Sequence, residues 1–84
     1  MNNSPRDMDM RGKLYDLEGA LRDAGGSQTL RDDIHRLIRS VYDPGQERRV
    51  VAEAIGLAEE ALGQGGRVSV CASRLLDAAA GVHL

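Results

Sequence analysis

The sequence predicts an all-α fold, a compact bundle of four helices or of three with a looser C-terminal segment. Three observations carry this reading. Apolar residues recur at helical intervals of three and four, as in Leu30, Ile34, Leu37 and Val41. Gly and Pro collect in short clusters at 25–26, 44–45 and 63–66, which cut the chain into pieces of helix length. Helix-starting residues stand at the heads of those pieces. Loops this short favour mostly antiparallel neighbours.

The first helix opens at Ser4-Pro5-Arg6-Asp7, with Ser as N-cap, Pro at the first helical position and an acid near the positive helix end. It is expected to reach about Ala24 and to stop at Gly25-Gly26, where a left-handed residue costs little. Met10, Leu14, Leu17 and Leu21 form its inward stripe. Thr29 is the expected cap of helix two, with Ser27 competing, and Ile38 widens the stripe of Leu30, Ile34, Leu37 and Val41. Asp32 and Asp33 near its start and Arg36 and Arg39 near its end suit the helix dipole, and Asp32 can pair with Arg36 four residues on.

Asp43-Pro44-Gly45-Gln46 turns a tight corner into helix three, which runs to about Leu62. Its stripe is Val51, Ala54, Ile55, Ala58 and Leu62, broadened by Val50, Leu57 and Ala61. After the Gly63–Gly66 loop, Ser69 is the expected cap of helix four, with Cys71, Leu75, Leu76 and Ala79 facing inward. Gly81 ends it, and Val82 folds back on the last turn. Residues 67–70 also fit a short extended segment, because Val-Ser-Val alternates.

Eighty-four residues make one domain, 1–84, with a flexible N-terminus over 1–4. There is no Phe and no Trp, so the core is built from Leu, Ile, Val, Ala and Met. Such side chains each bury little area, and oligomerisation is a common remedy for a thin core. A net charge of −2 argues against a strong nucleic-acid or anionic-membrane binder. Arg outnumbers Lys heavily, and Ala and Gly abound, the signature of a GC-rich, bacterial or phage coding sequence. One cysteine, Cys71, forms no internal disulfide and suits a reducing cytoplasm. The polar, acidic N-terminus is no signal peptide, and no apolar run spans a bilayer.

The feature that points furthest is a second seam on helix one. Met8, Gly12, Tyr15 and Gly19 repeat at the same intervals as the core stripe and, at about 100° per residue, face nearly the opposite way. A helix inside one small domain needs one such stripe. Interior Gly costs about 1 kcal/mol relative to Ala, so two on one face imply close approach of another backbone. Tyr15, with an apolar ring and a polar tip, suits an interface. Arg11, Glu18 and Arg22 flank the seam and supply rim charges that fix register.

Other constellations are weaker. Arg36, Arg39, Arg48 and Arg49 cluster around the helix two to three junction as a possible anion site, yet Asp32, Asp33, Asp43 and Glu47 nearly neutralise them. Val51–Gly56 has the residue order of a helix-turn-helix, but Gly65 falls at the next core position and Glu59 and Glu60 would face the phosphates. The same segment reads as one continuous helix. Cys71 has no partner base, His35 is a boundary or surface residue beside arginines, and the single Cys and two distant His lack metal-ligand spacing. The glycine loop lacks the Lys-Ser/Thr ending of a phosphate cradle. The expectation is a non-enzymatic cytoplasmic regulator, adaptor or inhibitor without cofactor or metal. It binds another protein or itself, as a homodimer through helix one. A small DNA-binding regulator and an oligomeric binder of a small anion are the alternatives.

Overall fold

Four α-helices follow one another: α1 (Pro5–Asp23), α2 (Gln28–Ser40), α3 (Glu47–Leu62) and α4 (Gly66–Ala80). The computed structural model describes the backbone of residues 5–81 and side chains from Met10 to Gly81. The expected Ser4 cap and the Val82 fold-back lie outside those residues. The helices close a ring in which α1 packs on α2 and α4, and α3 packs on α2 and α4. The contacts of α4 with its two neighbours are the most extensive, and α2 is the more lightly held. Asp23 at the end of α1 meets Arg67 at the start of α4, and Arg11 near the start of α1 meets Tyr42 just past the end of α2, so both neighbours run antiparallel to α1.

α1 ends as its glycines require. Gly25 takes a φ of +67°, Gly26 N–H donates to the Leu21 carbonyl at 2.8 Å and Gly25 N–H to that of Arg22 at 3.2 Å. This is the Schellman closure, which satisfies carbonyls that the helix itself leaves open. The chain then re-enters helix at once. Ser27, not Thr29, caps α2: its Oγ accepts from Leu30 N–H at 3.2 Å. Capping from Ser27 starts the helix earlier and leaves Leu30 at the first buried position, so the competing cap wins. The Asp32–Arg36 pair does not form; Arg36 reaches Asp33 at 3.2 Å, and Asp32 accepts from Gln28 at 2.9 Å.

α3 runs unbroken through Gly56, so the turn that a helix-turn-helix needs at that point is absent. Its buried face is Val50, Ala54, Ala58 and Ala61, with Val51, Ile55 and Leu57 packed at the margins. Leu62, expected in the stripe, is 37% exposed because the last turn of α3 turns Ala61 into the core instead, and Leu62, about 100° further round, faces away from it. α4 starts earlier than expected. Gly65, at φ +76°, turns the chain and its carbonyl accepts from Ser69 N–H at 3.2 Å, so Ser69 lies inside the helix rather than capping it. An extended 67–70 would point Val68 and Val70 the same way. Instead Val68 is buried and Val70 is 49% exposed, as helical spacing dictates.

The core is aliphatic. Leu14, Leu17, Leu21, Leu30, Ile34, Leu37, Leu75 and Val50 are its largest fully enclosed side chains. Ala54, Ala58, Ala61, Ala72 and Ala79 let α3 and α4 approach closely. Met10, Ala20, Ile38, Val41, Val68 and Cys71 complete it, the last as a buried free thiol. All four residues of the inward α1 stripe, the four of α2 and Val41 at its C-cap are therefore core, as their periodicity predicts.

Candidate functional site

The outward side of α1 carries the residues of the second seam. Gly12 is exposed, and a Cβ built on it would meet nothing within 4 Å. Gly19 is half-buried, and its Cβ position has only Arg22 Nη2, at 4.0 Å. No neighbouring helix of the same chain presses on either glycine, so the fold does not explain them. Tyr15, between them, is 48% exposed. Met8 lies on the stretch whose side chains are outside the described residues.

Tyr15 is tied to a second aromatic by Arg11. The Arg11 Cζ stands 5.6 Å from the Tyr15 ring centroid and 5.3 Å from that of Tyr42, which follows α2. These tyrosines are the only aromatic residues in the chain. A guanidinium between two rings is attracted by both faces and stiffens both side chains. Hydrogen bonding to Tyr15, then to Tyr42, pushes the already high Arg11 pKa further up; a guanidinium is a cation at ordinary pH in any case. Its Nε is enclosed and has no hydrogen-bond partner among the described residues, which is the cost of this stacking.

Next along the α1–α2 seam comes Glu18, expected as a rim charge. It is only 4% exposed, the one buried charged residue among those described. Its Oε2 lies 3.1 Å from His35 Nε2 and 3.5 Å from Arg31 Nε, and its Oε1 lies 3.7 Å from Arg22 Nη2. An ionised carboxylate only accepts, so His35 Nε2 carries the proton in this contact. Three donors from two helices thus surround one carboxylate, as a buried charge requires. The Arg31 Nε is itself enclosed without a hydrogen bond of good geometry, and the nearby carboxylate compensates it by charge alone.

Glu18 therefore belongs to the α1–α2 joint rather than to the rim. Arg11 and Arg22 remain at the border of the seam, Arg22 with 61% of its side chain exposed. His35 stands at the boundary, half-exposed, but its partner is a carboxylate rather than the arginines beside it in sequence. Sequence reasoning missed the partnerships of Glu18 with His35 and of Arg11 with Tyr42. Glu18 and His35 are 17 positions apart, and no local spacing signals such a contact. The one available hint was the place of Glu18 on the helix, between the two apolar seams.

The remaining arginines are dispersed. Arg49 is held by Glu53 at 2.7 Å and Gln46 at 2.7 Å, and Arg36 by Asp33. Arg39 and Arg48 are exposed. Arg36 and Arg39 share an open hollow of about 430 Å3 with Asp32 and His35, whereas Arg48 and Arg49 lie on α3 outside it. A groove of about 380 Å3 between α2 and α3 is lined by Asp33, Arg36, Glu53, Gly56, Leu57 and Glu60. Among the described residues, no three His, Cys, Asp or Glu side chains converge as for a metal, and no helix is long and apolar enough to cross a membrane.

No protein-family model matches the chain, and no curated protein and no solved structure matches it either.

Proposed function

We propose that this protein is a non-enzymatic interaction module that works by covering a protein surface, and that it associates with its own copy through the outward side of α1. One observation carries the reading. Both aromatic residues of the chain are held half-exposed by a single arginine, beside a helix face whose glycine backbone is open. Tyr and Arg are the side chains that dominate binding energy at interfaces, because they bury much area with few rotatable bonds. Ordering them in advance removes part of the entropy cost of docking. A thin aliphatic core supplies the second motive, since association adds buried area to a small domain.

Sedimentation equilibrium over a wide concentration range tests this. The wild-type mass is expected to rise from one chain toward two, and Tyr15→Glu to stay at one chain with an unchanged helical circular-dichroism spectrum. A wild-type protein that remains a strict monomer at high concentration, or a folded Tyr15→Glu variant that dimerises as the wild type does, would overturn the reading.

A further inference from the structure

We infer that the self-association is parallel: two α1 helices lie side by side in the same direction, and Arg11 of each copy reaches Asp16 of the other. This inference rests on the reading above and adds its geometry. The line Gly12, Tyr15 and Gly19 is bordered by two edges of opposite charge. The edge toward α2 carries Arg11, backed by Arg31 and His35 from α2 itself and by Arg22 where it leans over Glu18. By sequence Glu18 belongs to this edge and would break its sign. In the fold it is buried, and its charge is taken up by His35, Arg31 and Arg22, so the surface of this edge is basic.

The other edge carries Asp16 and Asp23, both exposed. Asp16 has no ion pair among the described residues, and Asp23 shares its charge with Arg67 at 3.7 Å. Two-fold symmetry then decides between arrangements. If the two helices ran antiparallel, each edge would meet its own kind, Arg against Arg and Asp against Asp. If they run parallel about an axis along the helices, each edge meets the opposite kind. This is the rule by which flanking charges set orientation in paired helices. In the heptad register of the seam, Gly12 and Gly19 fall at one inner position, Tyr15 and, at the end of the seam, Arg22 at the other, Arg11 on one flank and Asp16 on the opposite flank; Arg22 leans out of the seam toward Glu18, 3.7 Å away, with 61% of its side chain exposed. The flank residue of one helix reaches the opposite flank of its partner five residues on, which joins Arg11 to Asp16 twice per dimer.

The parallel arrangement also sets each seam residue against its own copy. Gly12 meets Gly12 and Gly19 meets Gly19, which permits close approach of the backbones. Between them the two Tyr15 rings stack, each braced from behind by its own Arg11.

Two measurements on the full chain test the orientation. The first is the dimer dissociation constant of Asp16→Asn, a substitution at an exposed site that removes a charge and no intramolecular ion pair. With two surface ion pairs lost per dimer, parallel helices predict association weaker by roughly 2- to 30-fold. The second is oxidation of Gly12→Cys and Gly19→Cys chains, separately and mixed, at chain concentrations raised to offset the weaker pairing that a side chain at either glycine brings, with Cys71 remaining buried in the core. Parallel helices predict that each variant cross-links to its own copy. A wild-type chain that stays monomeric removes the self-association reading, and the orientation with it. A wild-type dimer whose Asp16→Asn variant associates equally or more tightly, or whose cross-link forms only between Gly12→Cys and Gly19→Cys chains, overturns the parallel geometry and leaves self-association standing.

Discussion

Replacing Gly12 by alanine is expected to move folding stability and self-association in opposite directions. Gly12 lies inside α1 in ordinary helical backbone, with nothing within 4 Å of the added Cβ. The substitution therefore introduces no intramolecular strain. It removes the conformational freedom that glycine keeps in the unfolded chain, a gain of about 0.5–1 kcal/mol. For a domain of this size that corresponds to a melting temperature higher by roughly 2–8 °C. On the association side, each copy would push a methyl group into the closest part of the helix pair. Overpacking of this kind costs about 1–3 kcal/mol, or roughly 5- to 150-fold in dissociation constant. Thermal and urea unfolding followed by circular dichroism, at concentrations far below self-association, reads the first effect free of linkage. Sedimentation equilibrium reads the second. Stability and association rising together would refute the reasoning, because the face would then have no close partner for its glycine. Gly26→Ala serves as a contrast. There the new Cβ would sit 2.8 Å from Leu21 Cδ2 and 3.3 Å from the Leu21 carbonyl oxygen, so stability is expected to fall.

Two further substitutions probe the frame that holds this surface. Glu18→Ala leaves Arg31, His35 and Arg22 clustered without their anion. The expected loss is about 2 kcal/mol in urea unfolding, less than for a fully enclosed pair because Arg22 and His35 can turn to water. No loss would mean that the carboxylate contributes nothing to the α1–α2 joint. Ser27→Ala removes the oxygen that accepts from Leu30 N–H, and about 1 kcal/mol of stability should go with it. Hydrogen exchange should then quicken first in the initial turn of α2, and protection unchanged there would assign the cap elsewhere.

Much of the fold was legible in the chain, and the reasons are local. The stripe Met10, Leu14, Leu17 and Leu21 and the stripe Leu30, Ile34, Leu37, Ile38 and Val41 are buried to the last residue, since helical spacing leaves them one common face. Gly25-Gly26 closes α1 because its hydrogen bonds are made within one turn. Legibility failed where two local solutions were nearly equal. Ser27 and Thr29 both offer a capping oxygen, and Val-Ser-Val suits a strand as well as a helix. Packing of Val68 into the core and a positive φ at Gly65 resolved the second case in favour of helix.

For the candidate site, the sequence by itself determined that α1 has two faces and that Gly12, Tyr15 and Gly19 lie on the one opposite the core. Residues three and four apart share a side of any α-helix, whatever surrounds it. Only the tertiary structure decided what borders that face. It brought Tyr42 from beyond the end of α2 onto Arg11, and it drew Glu18 beneath His35 and Arg31. A charge acts by what lies within a few ångströms of it, and those neighbours come from a second helix whose placement is set by the burial of its own leucines and isoleucines. The sign of the α1 edge is thus a property of packing, not of the order of residues along α1.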